Sequence, residues 1–338
     1  MISIGSRQFE GAIEFAVCFA VLALSAATLA ICAPIALSIA TVFLFAGPHN
    51  WIEARYFLSR LPARFGKYKP FFAWSFAGIA FLMASYIGIM CWLHGNFADG
   101  IIRQSSYTSY VMAVWNACFI LWVVRLVQLS GKWQDGVDTG LALPLGFLAI
   151  AFACSFPAWF SLTLIYLHPF IGCWILDREM ARSKPNWRFA YHLCLASIPF
   201  FLTAIFFCLN GTENSSTVDV VTRQIRNYAG AMVLPAVPSR MLVGLHTFLE
   251  IVHYGIWLVA IPLVSAGWKM YRPISIPLAH RADKLRHLVP AIFATSTFAV
   301  IVLWFCFSFN YALTRDVYFT LAMIHVLAEI PFLLKTLS

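Results

Sequence analysis

The chain contains 338 residues, of which 61% are apolar, 16% aromatic and 11% charged, and its mean hydropathy is +0.80. Because soluble domains carry about 25% charged residues, this composition excludes a soluble globular protein and predicts an integral membrane protein. The net charge of +9 is then a signal of membrane topology, and we expect no nucleic-acid partner.

Ten segments are long and apolar enough to cross a membrane, which predicts an all-α, multi-pass bundle forming a single polytopic domain over residues 1–338. In chain order they cover approximately residues 11–33, 34–57, 70–93, 107–129, 141–158, 160–176, 189–209, 241–267, 288–310 and 316–336. The first segment ends like a signal peptide, but its apolar stretch is too long, so we interpret it as a retained span.

The distribution of positive charge predicts the orientation of these spans. With a cytoplasmic N-terminus and ten spans, 18 of the 23 Lys and Arg residues fall in cytoplasmic loops and termini. This asymmetry follows the positive-inside rule and predicts that both termini are cytoplasmic, in a membrane of the cytoplasmic (inner) type. The nine Cys residues lie in apolar spans and none forms a C-x-x-C pair, so we interpret them as packing residues.

Three predicted spans carry a His followed four residues later by a Glu. The pairs are His49/Glu53, His246/Glu250 and His325/Glu329. Four residues on an α-helix correspond to about 40° of rotation and one turn of rise, so each pair shares a face. The middle pair continues to His253, and Tyr56 takes the equivalent third position in the first. With 9 His and 14 acidic residues, chance would supply less than one such pair.

Ionisable groups inside a membrane need partners, because a charge at a helix centre costs roughly 2.5–3.5 kcal/mol on insertion scales. The predicted topology places His253, His325 and His168 near mid-membrane, with His246 nearer the outside. Several imidazoles and carboxylates at similar depth favour a metal ion as the shared partner. Asp177 and Glu179 we interpret as anchors at a helix end.

The resulting hypothesis is an intramembrane metal site. The best ligands are His49, His253 and His325, with His246 or His168 as the fourth. Three carboxylates, Glu53, Glu250 and Glu329, are either ligands of a dinuclear centre or acceptors that fix the tautomer of a His. Glu250 or Glu53 would also tune ligand basicity or relay protons, and Tyr56 or Tyr254 would donate a hydrogen bond.

A site rich in imidazole and without thiolate suits iron, zinc or copper, and iron with open positions is typical of oxygenases. A metal enclosed by lipid implies an apolar small-molecule substrate that arrives from the bilayer. The chain carries no ferredoxin, flavin or haem-attachment signature, so the reaction is a dioxygenation or uses a separate electron donor. Three alternatives stay open: a proton-coupled transporter with a His/Glu relay, a pigment- or haem-holding subunit, and polar contacts that serve helix packing alone.

The segment Ala46-Gly-Pro-His49-Asn-Trp-Ile-Glu53 resembles the first-helix motif of the Brp/Blh-type bacterial β-carotene cleavage oxygenases, where Pro-His precedes an acid by four residues. The segment around His325 is similar to that family's C-terminal His region. The resemblance implies a polytopic helical enzyme that splits a carotenoid with dioxygen at a four-His non-haem iron. It also implies that His49, His253 and His246 are iron ligands. Where the family has an H-x-x-x-H pair, this chain has His246-x-x-x-Glu250-x-x-His253.

Overall fold

A computed structural model describes residues 2–60, 66–98, 106–131, 139–212, 219–265, 276 and 283–336. Within these ranges the secondary structure is helical and includes no strand. The helices are α1 (Ile2–Cys32), α2 (Pro34–Arg60), α3 (Lys69–Ala98), α4 (Ser106–Ser130), α5 (Ala142–Ser155), α6 (Pro157–Ser183), α7 (Arg188–Leu209), α8 (Val220–Tyr228), α9 (Ser239–Gly255), α10 (Ile261–Ser265), α11 (Asp283–Phe309) and α12 (Tyr311–Thr336).

Nine helical stretches in the described part of the chain are long and apolar enough to cross a membrane, with α9 and α10 counted as one. This confirms the predicted all-α, multi-pass membrane class. The identity of the membrane and the cytoplasmic position of both termini stay predictions.

The fifth predicted span is shorter than the sequence indicated. Helix α5 has 14 residues, or about 21 Å of rise, whereas the hydrocarbon core of a bilayer is about 30 Å thick. It ends at Phe156, whose φ of −137° and ψ of 62° leave the helical region. The cause is Pro157, because a proline disfavours the α conformation in the residue before it. Helix α6 then continues to Ser183, seven residues beyond the predicted end at 176.

The chain divides into two compact units, one formed by residues 1–61 and 166–314 and the other by residues 62–165 and 315–338. In the first unit, helix α9 is the central element and packs against α1, α2 and α7. In the span that includes α9, 78% of the most apolar 18-residue stretch is buried within the protein, compared with 11–44% for the other spans in the described chain. A helix surrounded by protein on most sides can carry polar side chains that lipid would exclude.

Helix α9 ends in a π-helical turn over residues Ile256–Ala260, before α10. The Ile261 N–H donates a hydrogen bond to the Ile256 carbonyl, five residues back, which is the bond that defines a π-helix. Pro262 follows directly and has no N–H to donate, so the regular i to i−4 ladder cannot continue through this point. A π-turn inserts an extra residue into the helix and is frequent at functional sites.

Helix α8 covers one end of α9. It begins at Asp219, whose carboxylate accepts hydrogen bonds from the backbone N–H and the hydroxyl of Thr222, at 2.9 and 2.7 Å. These bonds hold the pKa of Asp219 below its usual range, so the stability they provide is present at neutral pH and is lost as the pH falls through that lowered value. Ile225 of α8 is buried against Leu242 of α9.

In the second unit, α4 packs against both α3 and α5. Two indoles of α4 reach across to backbone carbonyls of α3. Trp115 Nε1 donates to Leu82 O at 3.0 Å, and Trp122 Nε1 donates to Trp74 O at 2.9 Å. The second bond requires a glycine, because a Cβ at Gly78 would lie 1.9 Å from Trp122 Nε1. Small residues permit this kind of close approach between membrane helices.

We expect the substitution Gly78→Ala to lower the free energy of unfolding by about 1–3 kcal/mol, because the new methyl group displaces the Trp122 indole from its carbonyl. The change is measured by heating the detergent-solubilised protein and recording the fraction that stays monodisperse at each temperature. Gly88→Ala is the matched control on the same helix, since a Cβ there has no neighbour within 4 Å. Equal midpoints for the two variants would contradict the expected role of Gly78.

Candidate metal centre

Two histidines from distant parts of the sequence meet inside the first unit. His49 of α2 and His253 of α9 are 1% and 2% exposed, and their Nε2 atoms lie 3.0 Å apart. Their rings are tilted by 62° with centroids 4.8 Å apart. The two rings therefore meet at their Nε2 atoms and are not stacked face to face.

His253 is held in place through its other ring nitrogen. Its Nδ1 lies 3.3 Å from the carbonyl oxygen of Pro169 on α6. Donation from Nδ1–H to this carbonyl leaves the lone pair of Nε2 directed at His49, which is the tautomer a metal ligand requires. Gly172 makes the approach possible, because a Cβ there would lie 3.2 Å from His253 Nδ1 and 3.1 Å from Trp257 Nε1.

A carboxylate completes a three-atom group around His49. Glu53 lies one turn further along α2, is fully buried, and places Oε2 3.1 Å from His49 Nε2. His49 Nε2 thus has two electron-rich neighbours, Glu53 Oε2 and His253 Nε2. A single ring proton hydrogen-bonds fully to only one of these neighbours, whereas a cation interacts with all three lone pairs.

The separations fit a metal. For ligand distances of about 2.1 Å, two ligands at right angles lie about 3.0 Å apart and two tetrahedral ligands about 3.4 Å apart. The separations of 3.0 and 3.1 Å from His49 Nε2 match the right-angled arrangement. Two imidazoles and one carboxylate on adjacent positions are the ligand set of non-haem Fe(II) oxygenases, which leave the remaining positions open.

His168 of α6 joins this group beside His253. Its ring centroid lies 4.6 Å from that of His253, and one ligand nitrogen of each ring lies within 4.8 Å of the other. His168 directly precedes Pro169, so one short segment of α6 supplies both a neighbouring imidazole and the carbonyl that orients His253. Of the two residues that the sequence left open as fourth ligand, the structure places His168 at the pair.

His246 lies elsewhere on α9. It is seven residues before His253, or about 10 Å along the helix axis. Its ring packs between those of Tyr166 and Tyr228, with centroids 5.5 and 5.3 Å away. Its Nδ1 lies 3.5 Å from Glu250 Oε2. Glu250 is four residues after His246 and three residues before His253, so along α9 it lies between His246 and the histidine group.

His325 and Glu329 belong to the second unit. Both lie on α12, four residues apart, and Glu329 is fully buried. The prediction that they bind the same metal as His49 and His253 stays a prediction.

Tyr56 takes part in a different group of charged residues, which the sequence did not reveal. Its hydroxyl donates to Glu179 Oε1 at 2.7 Å, and Arg60 binds the other carboxylate oxygen. Arg182 lies 3.5 Å from Oε1. Glu179 itself is fully buried, although the sequence suggested an interfacial anchor.

Asp177 lies near the end of α6 and binds basic partners on α7. It accepts two hydrogen bonds from Arg188, at 2.8 and 2.7 Å, and lies 2.7 Å from His192 Nε2. These three residues join the end of α6 to the start of α7. Asp177 and Glu179 are two residues apart and face different partners, which only the packing of α2 on α6 distinguishes.

Comparison of the chain with protein-family models, with curated proteins and with solved structures finds no match. The likeness to the carotenoid-cleaving oxygenases therefore stays a resemblance of short motifs. The geometry of the histidine group is therefore the basis for assigning a function.

Proposed function

We propose that this protein is a membrane-embedded, metal-dependent oxygenase that acts on an apolar lipid or isoprenoid, including carotenoids, with iron as its metal. The observation that carries the proposal is that His253 Nε2 and Glu53 Oε2, both buried, lie 3.0 and 3.1 Å from His49 Nε2. His168 lies beside His253 and offers a fourth donor.

Iron is the metal of the proposal because an imidazole–carboxylate set without thiolate and with open positions is typical of Fe(II) oxygenases, although the same donors also bind zinc and copper. Cys173 is the buried cysteine nearest in sequence to the residues that orient His253, and its thiol contacts the Pro169 carbonyl at 3.8 Å instead of the histidine nitrogens. A bound iron with open positions would supply dioxygen activation.

The protein's own residues would orient the ligands and handle protons. The Pro169 carbonyl fixes the tautomer of His253. Glu53 approaches the same His49 nitrogen that would bind the metal, so it would act as a neighbouring carboxylate ligand. Glu250, between His246 and His253 on α9, would pass a proton along this helix. If both oxygen atoms enter the product, the reaction needs no external electrons; a monooxygenation would need a separate donor protein.

The first test is the metal content of protein purified in detergent without chelators, measured by inductively coupled plasma mass spectrometry. We expect about one iron per chain, or two if the centre is dinuclear. Oxygen uptake with a panel of carotenoids, isoprenoids and phospholipids then identifies the substrate. Protein that contains no stoichiometric metal would contradict the proposal.

One observation favours a second candidate. The titratable groups His246, Glu250 and His253 follow each other along α9, as in the proton relays of membrane transporters. A proton-coupled transporter would show no bound metal, and reconstituted vesicles would acidify or alkalinise when a substrate gradient is applied. The metal measurement therefore separates the two functions before any substrate is known.

A further inference from the structure

A groove of about 560 Å³ runs along the first unit between α1 and the end of α9. Its α1 wall includes Glu14, Cys18 and Leu22, and its other wall includes Tyr254, Leu258 and Leu263. This volume falls within the range of about 300–1,000 Å³ that is typical of sites for small organic ligands. Its lining is almost entirely apolar.

The groove opens sideways, toward the region that lipid occupies. Cys18 on one wall is exposed, and on the other wall Val259 and Leu263 are 56% and 60% exposed. All three belong to membrane-spanning segments. An apolar chain can therefore enter from the bilayer without crossing water.

One end of the groove stops at Tyr254, which separates it from the buried His49. Tyr254 lines this end, and its ring centroid lies 4.9 Å from that of His49. Phe45, which is 38% exposed, also lines this end and packs 6.3 Å from Tyr254. From the level of Leu263 to that of Tyr254 the groove extends nine residues along the helix, or about 13 Å.

The other end carries opposite charges. Glu14 of α1 and Lys184, just after α6, both line it, and the ammonium of Lys184 lies 5.1 Å from the Trp187 ring centroid. The predicted topology puts this end at the cytoplasmic interface, where Trp and Lys are typical anchors. A cation and an anion together match a headgroup that contains both a phosphate and an ammonium group.

We propose that this groove binds one acyl chain of a zwitterionic membrane phospholipid, with the headgroup between Lys184 and Glu14 and the end of the chain against Tyr254, the residue that separates the groove from His49. On the proposed function, which this step assumes, the acyl chain is the substrate. The π-turn after His253 forms part of the groove wall, so the same local distortion shapes the lipid path and ends the helix that holds the histidine.

The test is photo-crosslinking in nanodiscs with phosphatidylethanolamine that carries a diazirine in its acyl chain, followed by mapping of the labelled residues by mass spectrometry. We expect labels at Tyr254, Phe45 and Leu258. Val259→Trp places an indole in the groove and should reduce this labelling about tenfold. Val21→Trp is the matched control, since Val21 is 59% exposed on α1 and does not line the groove. Equal labelling of the two variants would overturn the proposed site.

The headgroup is tested with phosphatidylglycerol that carries the same photoreactive chain but lacks the amine. Labelling of the wild-type protein should favour the ethanolamine lipid by up to about fivefold, which is the largest effect expected from one exposed ion pair. Glu14→Gln should remove this preference. Equal labelling by both lipids in the wild type would overturn the zwitterionic assignment. Because crosslinking needs no metal, specific labelling of a metal-free protein would uphold the lipid site and overturn only its role as a substrate site.

Discussion

The substitution His253→Ala is expected to remove the proposed metal from this protein while leaving the protein folded. His253 is the residue at which α2, α6 and α9 meet, through His49 Nε2 on one side and the Pro169 carbonyl on the other. Removing one ligand from a three- or four-donor site reduces metal affinity by far more than the 10–100-fold typical of changes in the surrounding hydrogen bonds. We expect the iron content to fall below about a tenth of the wild-type value.

His246→Gln is the control for this experiment, because it changes a second histidine on the same helix that the structure places among tyrosines. This variant should keep its metal. Loss of metal from His246→Gln together with retention in His253→Ala would contradict the assignment of the ligands. Gel filtration of each variant shows whether the protein is still monodisperse, so that a metal loss is not confused with unfolding.

The substitution Arg60→Met is expected to destabilise the protein by about 2–4 kcal/mol, although Arg60 is partly exposed. The Arg60 side chain is 37% exposed, whereas its partner Glu179 is 1% exposed. Removing the arginine leaves a buried carboxylate with Tyr56 and the more distant Arg182 as neighbours. A buried charge that loses its partner costs about 3–5 kcal/mol, and the exposure of Arg60 reduces this figure.

The triple variant Arg60→Met, Glu179→Met, Tyr56→Phe tests the cause. It removes the whole polar group instead of one member, and an apolar replacement of a buried ion pair is often neutral. We therefore expect it to recover most of the lost stability in thermal unfolding. Arg188→Met is a milder control, because its partner Asp177 is 19% exposed and can be hydrated. A triple variant less stable than Arg60→Met would contradict this account.

The residues of the histidine group could be predicted from the sequence, because His and Glu are rare within apolar spans and usually have a functional or structural partner there. His49, Glu53 and His253 were identified by spacing alone, and the structure brings these three together. Spacing on one helix cannot show which helices are neighbours, so it could not choose between His168 and His246. That choice depends on the packing of α6 against α9.

The burial of Glu179 could not be predicted from its sequence neighbours. Beside Asp177 and Arg178, at the end of an apolar helix, it has the sequence context of an interfacial residue. Its burial follows from Tyr56 and Arg60, which lie 123 and 119 residues away in the chain. Gly172 and Gly78 were missed for the same reason, since a glycine that permits a close contact looks in sequence like any other small residue in a membrane helix.

The pairing of His49 with His253 across 204 residues of chain has a consequence for how the protein is made. At about 5–20 residues per second, α2 leaves the ribosome roughly 10–40 s before α9 is synthesised. Among the nine long helices of the described chain, α2 also has the lowest mean hydropathy. During this interval Glu53 and His49 lack their partner histidine. We therefore expect α2 to reach its final position in the membrane only after α9 is made, and the proposed metal to bind only then.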